Sequence, residues 1–135
     1  MNYSVTVNNI SKSFGKTKAV DNVSFNVEKG ELFGFIGPDG AGKTTLFRML
    51  TTLLLPDGGE AVVDGFDIVK DFKKIRGAVG YMPGRFSLYQ DLSVEENLKF
   101  FARVFGTTIE ANYELIKDIY IFLEPFRKRR AGKLS

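Results

Sequence analysis

The stretch GPDGAGKTT, from Gly37 to Thr45, constrains this chain more than any other part of it. It fits the Walker A spacing G-x-x-x-x-G-K-[ST] without a gap, at Gly37, Gly42, Lys43 and Thr44. Phosphate chemistry accounts for each residue type. Gly37, Gly40 and Gly42 let the backbone turn tightly, and bare N–H groups from Asp39 through Ala41 to Thr44 can then close on a phosphate. Lys43 is expected to reach terminal phosphates as a point charge, and the Thr44 hydroxyl to hold Mg²⁺, with Thr45 beside it in the binding set. The flanks agree with this. ELFGFI (Glu31 to Ile36) predicts a buried strand, and TTLFRML (Thr44 to Leu50) opens a helix whose positive end faces the loop.

At 135 residues the chain is one domain at most. It has no cysteine and no histidine, which excludes disulfides, thiolate metal sites and a histidine general base within it. The N-terminus has no apolar core of a signal peptide, and no apolar run approaches the roughly 18 residues of a membrane helix. A place in the cytosol is therefore expected. The formal charge of +3 comes from Arg127, Lys128, Arg129, Arg130 and Lys133; without those five, 14 basic residues face 16 acidic ones. A charged, solvated segment accounts for that cluster, and no nucleic-acid partner is expected; an RNA or anionic-lipid contact through RKRR is the less favoured alternative.

Along the chain, Val5 and Val7 alternate with polar neighbours in a strand over residues 4–8. Val20, Val23, Phe25 and Val27 mark a second strand. Phe14 stands in a polar loop, where its ring either stacks on a nucleotide base or tucks onto the sheet. The helix after the glycine-rich loop is expected to end near Leu54, before Pro56-Asp57-Gly58-Gly59. GEAVVDGFDI predicts a hairpin around Asp64-Gly65, Lys70 to Arg76 a short helix with Phe72 and Ile75 inward, and Ala78 to Met82 a buried strand. Ser93 with Glu96 forms a capping box ahead of Val94, Leu98, Phe101 and Phe105, and Gly106 stops that helix. Thr107 with Glu110 predicts a second box and a helix to about Leu123. The organisation expected is an α/β part over residues 1–85 and a helical part over 86–135.

From VNNISKSFGKTKAVDNVSF through the glycine-rich loop to DGFDI, and again in GYMPGRFSLYQDLSVEENLKFFARVFG, the sequence resembles the ATP-binding subunit of an ABC transporter, efflux type. The resemblance covers the whole chain. It implies an α/β P-loop NTPase fold of the ABC type, incomplete: an antiparallel hairpin region, part of the core sheet and the start of the helical subdomain. It also implies that Phe14 stacks on adenine, that ATP and Mg²⁺ are the ligands, and that the chain works on the cytoplasmic face of a membrane. The partners implied are a transmembrane transporter subunit and a second nucleotide-binding domain, closing head-to-tail over two ATPs.

Two departures from the family pattern stand out. Gly84 occupies the place after Pro83 where the family has a glutamine that contacts Mg²⁺ and water, and glycine has no side chain for that. AGKLS (Ala131 to Ser135) looks like the run-up to the signature motif, with Leu134 and Ser135 as its first letters. The Walker B aspartate, catalytic glutamate and switch histidine have no counterpart in the sequence, so no catalytic residue is assigned. The chain is expected to be an N-terminal fragment of an ATPase subunit that powers export, by early termination or truncation. The alternative is a binding module or remnant with no ATPase activity of its own. In the family, the strands flanking Glu31 to Ile36 come after the signature motif, so unpaired edges and marginal stability are expected here.

Overall fold

A computed structural model describes residues 2–134; Ser135, the second letter of the signature-like run, lies outside the described residues. The chain divides into two compact units, one ending at Met82 and the other beginning at Pro83.

In the first unit, β1 (Tyr3–Phe14), β2 (Thr17–Glu28), β3 (Gly58–Val63) and β4 (Phe66–Asp67) form an antiparallel sheet in the order β2-β1-β3-β4. The strand expected over 4–8 runs on to Phe14. Its polar residues from Asn8 to Ser13 gain a ladder because β2 pairs on one side and β3 on the other. A bulge makes this possible. Asn9 takes φ 48°, a left-handed conformation that asparagine tolerates, and the register slips between Val7 and Ile10. Side chains three apart therefore both face the core, where Val7 and Ile10 are buried. The turn between β3 and β4 is as the sequence predicts: Asp64 (φ 49°) and Gly65 (φ 81°) are both left-handed, which matches the right-handed twist of the flanking strands.

Helix α1 (Lys43–Leu50) lays Leu46, Met49 and Leu50 into the core with Val7, Ile10, Val20, Ala61, Val63 and Ile68. It stops short of Leu54. Thr52 turns left-handed (φ 63°), and the Leu53 and Leu54 amides both donate back to the Arg48 carbonyl. Helix α2 (Phe72–Ala78) buries Ile75, but Phe72 is exposed rather than inward, with the Arg76 guanidinium 5.1 Å from its ring.

The two buried strands expected at Glu31–Ile36 and Ala78–Met82 do not form. Ala78 closes α2, and neither stretch enters the sheet. Side chains of the first still alternate. Phe33 and Phe35 pack with Phe25 in a three-ring cluster with centroids 5.2–5.5 Å apart, whereas Leu32 and Ile36 are 101% and 103% exposed. A ladder needs a neighbouring strand, and no described residue supplies one for this stretch.

The second unit carries α3 (Val94–Val104) and α4 (Ile109–Tyr120). The capping box forms in both directions: the Glu96 amide donates to Ser93 Oγ at 3.2 Å, and the Ser93 amide to Glu96 Oε2 at 2.8 Å. Val94 is buried on the predicted face and Phe105 is not. Gly106 (φ 68°) ends α3, its amide and that of Thr107 returning to the Arg103 and Ala102 carbonyls. The second cap is displaced by one residue. Thr108, not Thr107, accepts from the Ala111 amide, and α4 stops at Tyr120.

Residues 127–132 run beside 90–95, joined by four main-chain bonds. The Gly132 amide donates to Gln90, Ala131 to Leu92, Val94 to Arg129 and Glu95 to Arg127, at 2.8–3.1 Å. Among the described residues, no helix is long and apolar enough to cross a membrane.

Candidate functional site

The site is built on one short approach between β2 and the start of α1. Gly42 is the N-cap of α1 and sits at φ 93° with its Cα against β2. A Cβ there would lie 2.1 Å from the Ala19 carbonyl oxygen, so only glycine brings the helix start this close. Gly40 (φ 82°) turns the loop just before it. The burial of Leu46, Met49 and Leu50 anchors the helix behind the loop.

The first-turn amides of α1 have no side-chain cap, and no acidic residue stands in that turn. Such amides carry about half a positive charge at the helix end and attract anions. They open into a hollow of about 190 Å³ lined by Asp39, Gly40, Ala41, Gly42, Lys43, Thr44 and Thr45, with Ala19 from β2. Lys43 Nζ donates to the carbonyls of Gly37 and, at 2.8 Å, Pro38, so its ammonium lies across the base of the loop. Gly37 is outside the lining, and a Cβ on it would come 3.2 Å from the Ala41 methyl.

Phe14 stands apart from these residues. It ends β1, pairs with Thr17 across the Gly15-Lys16 turn, and is 52% exposed. It is thus neither in a loop nor tucked onto the sheet. Its strand end is held by Asp57, whose carboxylate accepts from Lys12 Nζ at 2.7 Å and from the Ser13 amide at 2.8 Å. The Asp57 amide returns to the Ser11 carbonyl. Those bonds, Lys12 first, hold the Asp57 carboxyl below its ordinary pKa, and Lys12 Nζ also lies 5.8 Å from the centre of the Phe14 ring. Ala19 and Asp57 are the residues that sequence reasoning missed. Ala19 left no signal in the sequence, since its main-chain carbonyl is what meets Gly42; for Asp57 the signal was an acid in a turn, though its partners lie 44 and 45 positions away. Gly84, in the second unit, is exposed, and a Cβ on it would meet nothing within 4 Å.

Solved structures share the fold. An ATP-binding subunit of an ABC transporter superposes with a TM-score of 0.78 at 27% identity, over 97% of this chain and 55% of the other. An ABC transporter ATP-binding protein from Pyrococcus furiosus does so with 0.77 at 29% identity, over 97% and 62%. The fold is thus a P-loop NTPase fold in part, with the start of a helical subdomain. The ABC transporter family model matches residues 20–135, and the chain belongs to that family. Among its relatives, the probable multidrug ABC transporter ATP-binding protein YbhF of Escherichia coli is 47% identical over 107 residues. The doxorubicin resistance ATP-binding protein DrrA of Mycobacterium tuberculosis is 38% identical over 131. Those matches take in 79% and 96% of this chain but 18% and 39% of the relatives' own lengths.

Proposed function

We propose that this chain binds MgATP as the phosphate-holding half of an ABC transporter ATPase site that powers export. The observation that carries the reading is the uncapped N-terminus of α1, opening into a hollow that exists because Gly42 meets Ala19 without a side chain. A close approach that one methyl group would block fits the backbone-lined phosphate grip of such sites. Amides from Asp39 to Thr44 and the Lys43 ammonium would hold the phosphates, the Thr44 hydroxyl the magnesium, and the exposed Phe14 ring the adenine. The metal, when bound, would neutralise charge on the phosphates.

The relatives' names, a multidrug ABC transporter ATP-binding protein and a doxorubicin resistance ATP-binding protein, support transport as the use of this binding. A transmembrane subunit and a second nucleotide-binding domain, at the cytoplasmic face of a membrane, are the partners this reading calls for. A second reading, binding without turnover by these residues alone, is favoured by one feature. Asp39 is the only carboxylate among the residues lining the hollow, and it belongs to the loop itself. Hydrolysis needs a further carboxylate positioned on the attacking water.

Titration with a fluorescent ATP analogue tests binding. Lys43→Ala should weaken it by about 1.5–3 kcal/mol, the worth of a charge-assisted hydrogen bond, and Phe14→Ala by about 1–3 kcal/mol of stacking. Unchanged binding in the Lys43 variant would remove the assignment. Phosphate release by the 135-residue chain should not exceed that of Lys43→Ala; steady release above it would overturn the second reading.

A further inference from the structure

The sequence contains three Asp-Gly pairs and no Asn-Gly: Asp39-Gly40, Asp57-Gly58 and Asp64-Gly65. Such a pair can react with itself, because glycine sets no Cβ between its amide nitrogen and the carboxyl carbon of the residue before it. Two freedoms are needed. The carboxyl must be able to swing onto the following nitrogen, and the backbone around that nitrogen must be able to turn. The fold grants these freedoms unequally.

Asp57 has lost the first. Its carboxylate accepts from Lys12 Nζ and the Ser13 amide, and Gly58 opens β3 opposite Ser11. Asp64 has lost the second. It is exposed, but its amide donates to the Ser4 carbonyl at 2.7 Å, and the turn is closed by the paired Val63 and Phe66. Moving the Gly65 nitrogen there means opening the hairpin.

Asp39 keeps both. It is exposed, and its carboxylate makes no hydrogen bond or ion pair with any described residue. The Gly40 amide likewise donates to no described residue. A single main-chain bond closes this turn, from the Ala41 amide to the Pro38 carbonyl at 3.2 Å, and Lys43 Nζ shares that carbonyl. A Cβ on Gly40 would meet nothing within 4 Å, so a new ring has room.

We propose that Asp39-Gly40 is a modification site, the place where this chain converts aspartate to isoaspartate. The Gly40 nitrogen bonds to Asp39 Cγ, and the carboxyl hydroxyl leaves as water with the amide proton. A five-membered imide results. Water then adds to the Asp39 main-chain carbonyl carbon and breaks its bond to the Gly40 nitrogen. The chain now runs through Cβ, the former main-chain carbonyl is a free carboxylate, and no oxidant or reductant is consumed. One methylene has entered the backbone two residues before Gly42, in a loop whose hollow Asp39 lines.

The test is to age the whole folded chain in warm neutral buffer without nucleotide, and a second sample in denaturant. Trypsin then yields residues 30–43, which carry Asp39, and residues 49–70, which carry both other pairs. Isoaspartate appears as a peptide of unchanged mass and shifted retention, and the imide as one lighter by a water. In the folded chain, 30–43 should convert about tenfold or more faster than 49–70, the factor that one charge-assisted hydrogen bond imposes on Asp57. In denaturant the two should convert at comparable rates, and Asp39→Glu should abolish the isomer of 30–43. Equal conversion of both peptides in the folded chain would overturn the assignment, as would an unconverted 30–43 where the denatured chain converts. Slowing of 30–43 alone by an ATP analogue tests the nucleotide reading separately, since the comparison of the two peptides is made without nucleotide.

Discussion

Two glycines of the loop have similar positive φ, so exchanging each for alanine compares what the Cβ meets. Gly40 sits at φ 82° with open space around its missing side chain, whereas Gly42 sits at φ 93° against Ala19. Gly40→Ala incurs only the conformational term, about 1–2 kcal/mol for an L-residue in the left-handed region. Gly42→Ala incurs that term and a clash. A Cβ at 2.1 Å from a carbonyl oxygen must be relieved by nearly 1 Å of backbone movement, because real contacts stay beyond 3.0 Å. The Ala19 side cannot yield easily, since Val20 beside it is buried in the core, and α1 is anchored by Leu46, Met49 and Leu50. Overpacking of this kind typically costs about 1–3 kcal/mol. The sum is about 2–5 kcal/mol, divided between stability and the shape of the hollow. At about 1.4 kcal/mol per decade this is roughly 30-fold to several thousandfold, against about five- to thirtyfold for Gly40→Ala. Thermal melts with and without ATP, together with analogue titration, measure both parts. If the two variants behave alike, or if Gly42→Ala melts and binds as the parent does, the steric account of the loop is wrong.

Three further outcomes follow from other parts of the molecule. The depressed Asp57 carboxyl favours the folded state at neutral pH and above, and that contribution is lost as pH falls through its folded value, below the ordinary carboxylate range. Melts of Asp57→Ala should therefore fall below the parent's at pH 7 and converge with them in acid; a constant gap at every pH would refute the clamp. Gly84→Gln should change the stability by less than about 0.5 kcal/mol, because its side chain enters open space, and in a full-length protein it should raise transport-coupled hydrolysis; unchanged hydrolysis would show that glycine is tolerated there. On the 135-residue chain alone, amide exchange at Phe33 to Ile36 should be fast, since this stretch has no ladder among the described residues, and strong protection would show that it finds a partner.

What the sequence discloses about this chain is what local chemistry decides. The Asp64-Gly65 turn, the Ser93–Glu96 box, the Gly106 stop and the glycine-rich loop each depend on residues a few positions apart, and each is found where its residues predict. The strand through Asn8 to Phe14 is different. Its polar residues carry no apolar period, and it exists because β2 and β3 satisfy it from both sides. At Glu31–Ile36 the reverse holds: the apolar run predicts a strand, the side chains alternate as in one, and the hydrogen-bonding neighbours are absent among the described residues. Thr107 and Thr108 are adjacent hydroxyls, each able to cap, and the choice falls to Thr108 because Thr107 Oγ1 accepts from Asn112 instead. The loop of the candidate site was legible as a list of residues, but the Ala19 carbonyl that makes Gly42 obligatory is a matter of tertiary contact.

The four main-chain bonds between residues 90–95 and 127–132 have a mechanical consequence. Gln90, Leu92, Val94 and Glu95 are fastened to partners 32 to 42 positions further on, rung after rung, across the start of α3. Leu134 lies two residues past the last of these, its amide bonded to the Ala131 carbonyl. A ladder of this kind favours the two stretches moving as one body, because a relative shift would break several main-chain bonds at once. The residues leading up to Leu134 thereby share a frame with the start of α3.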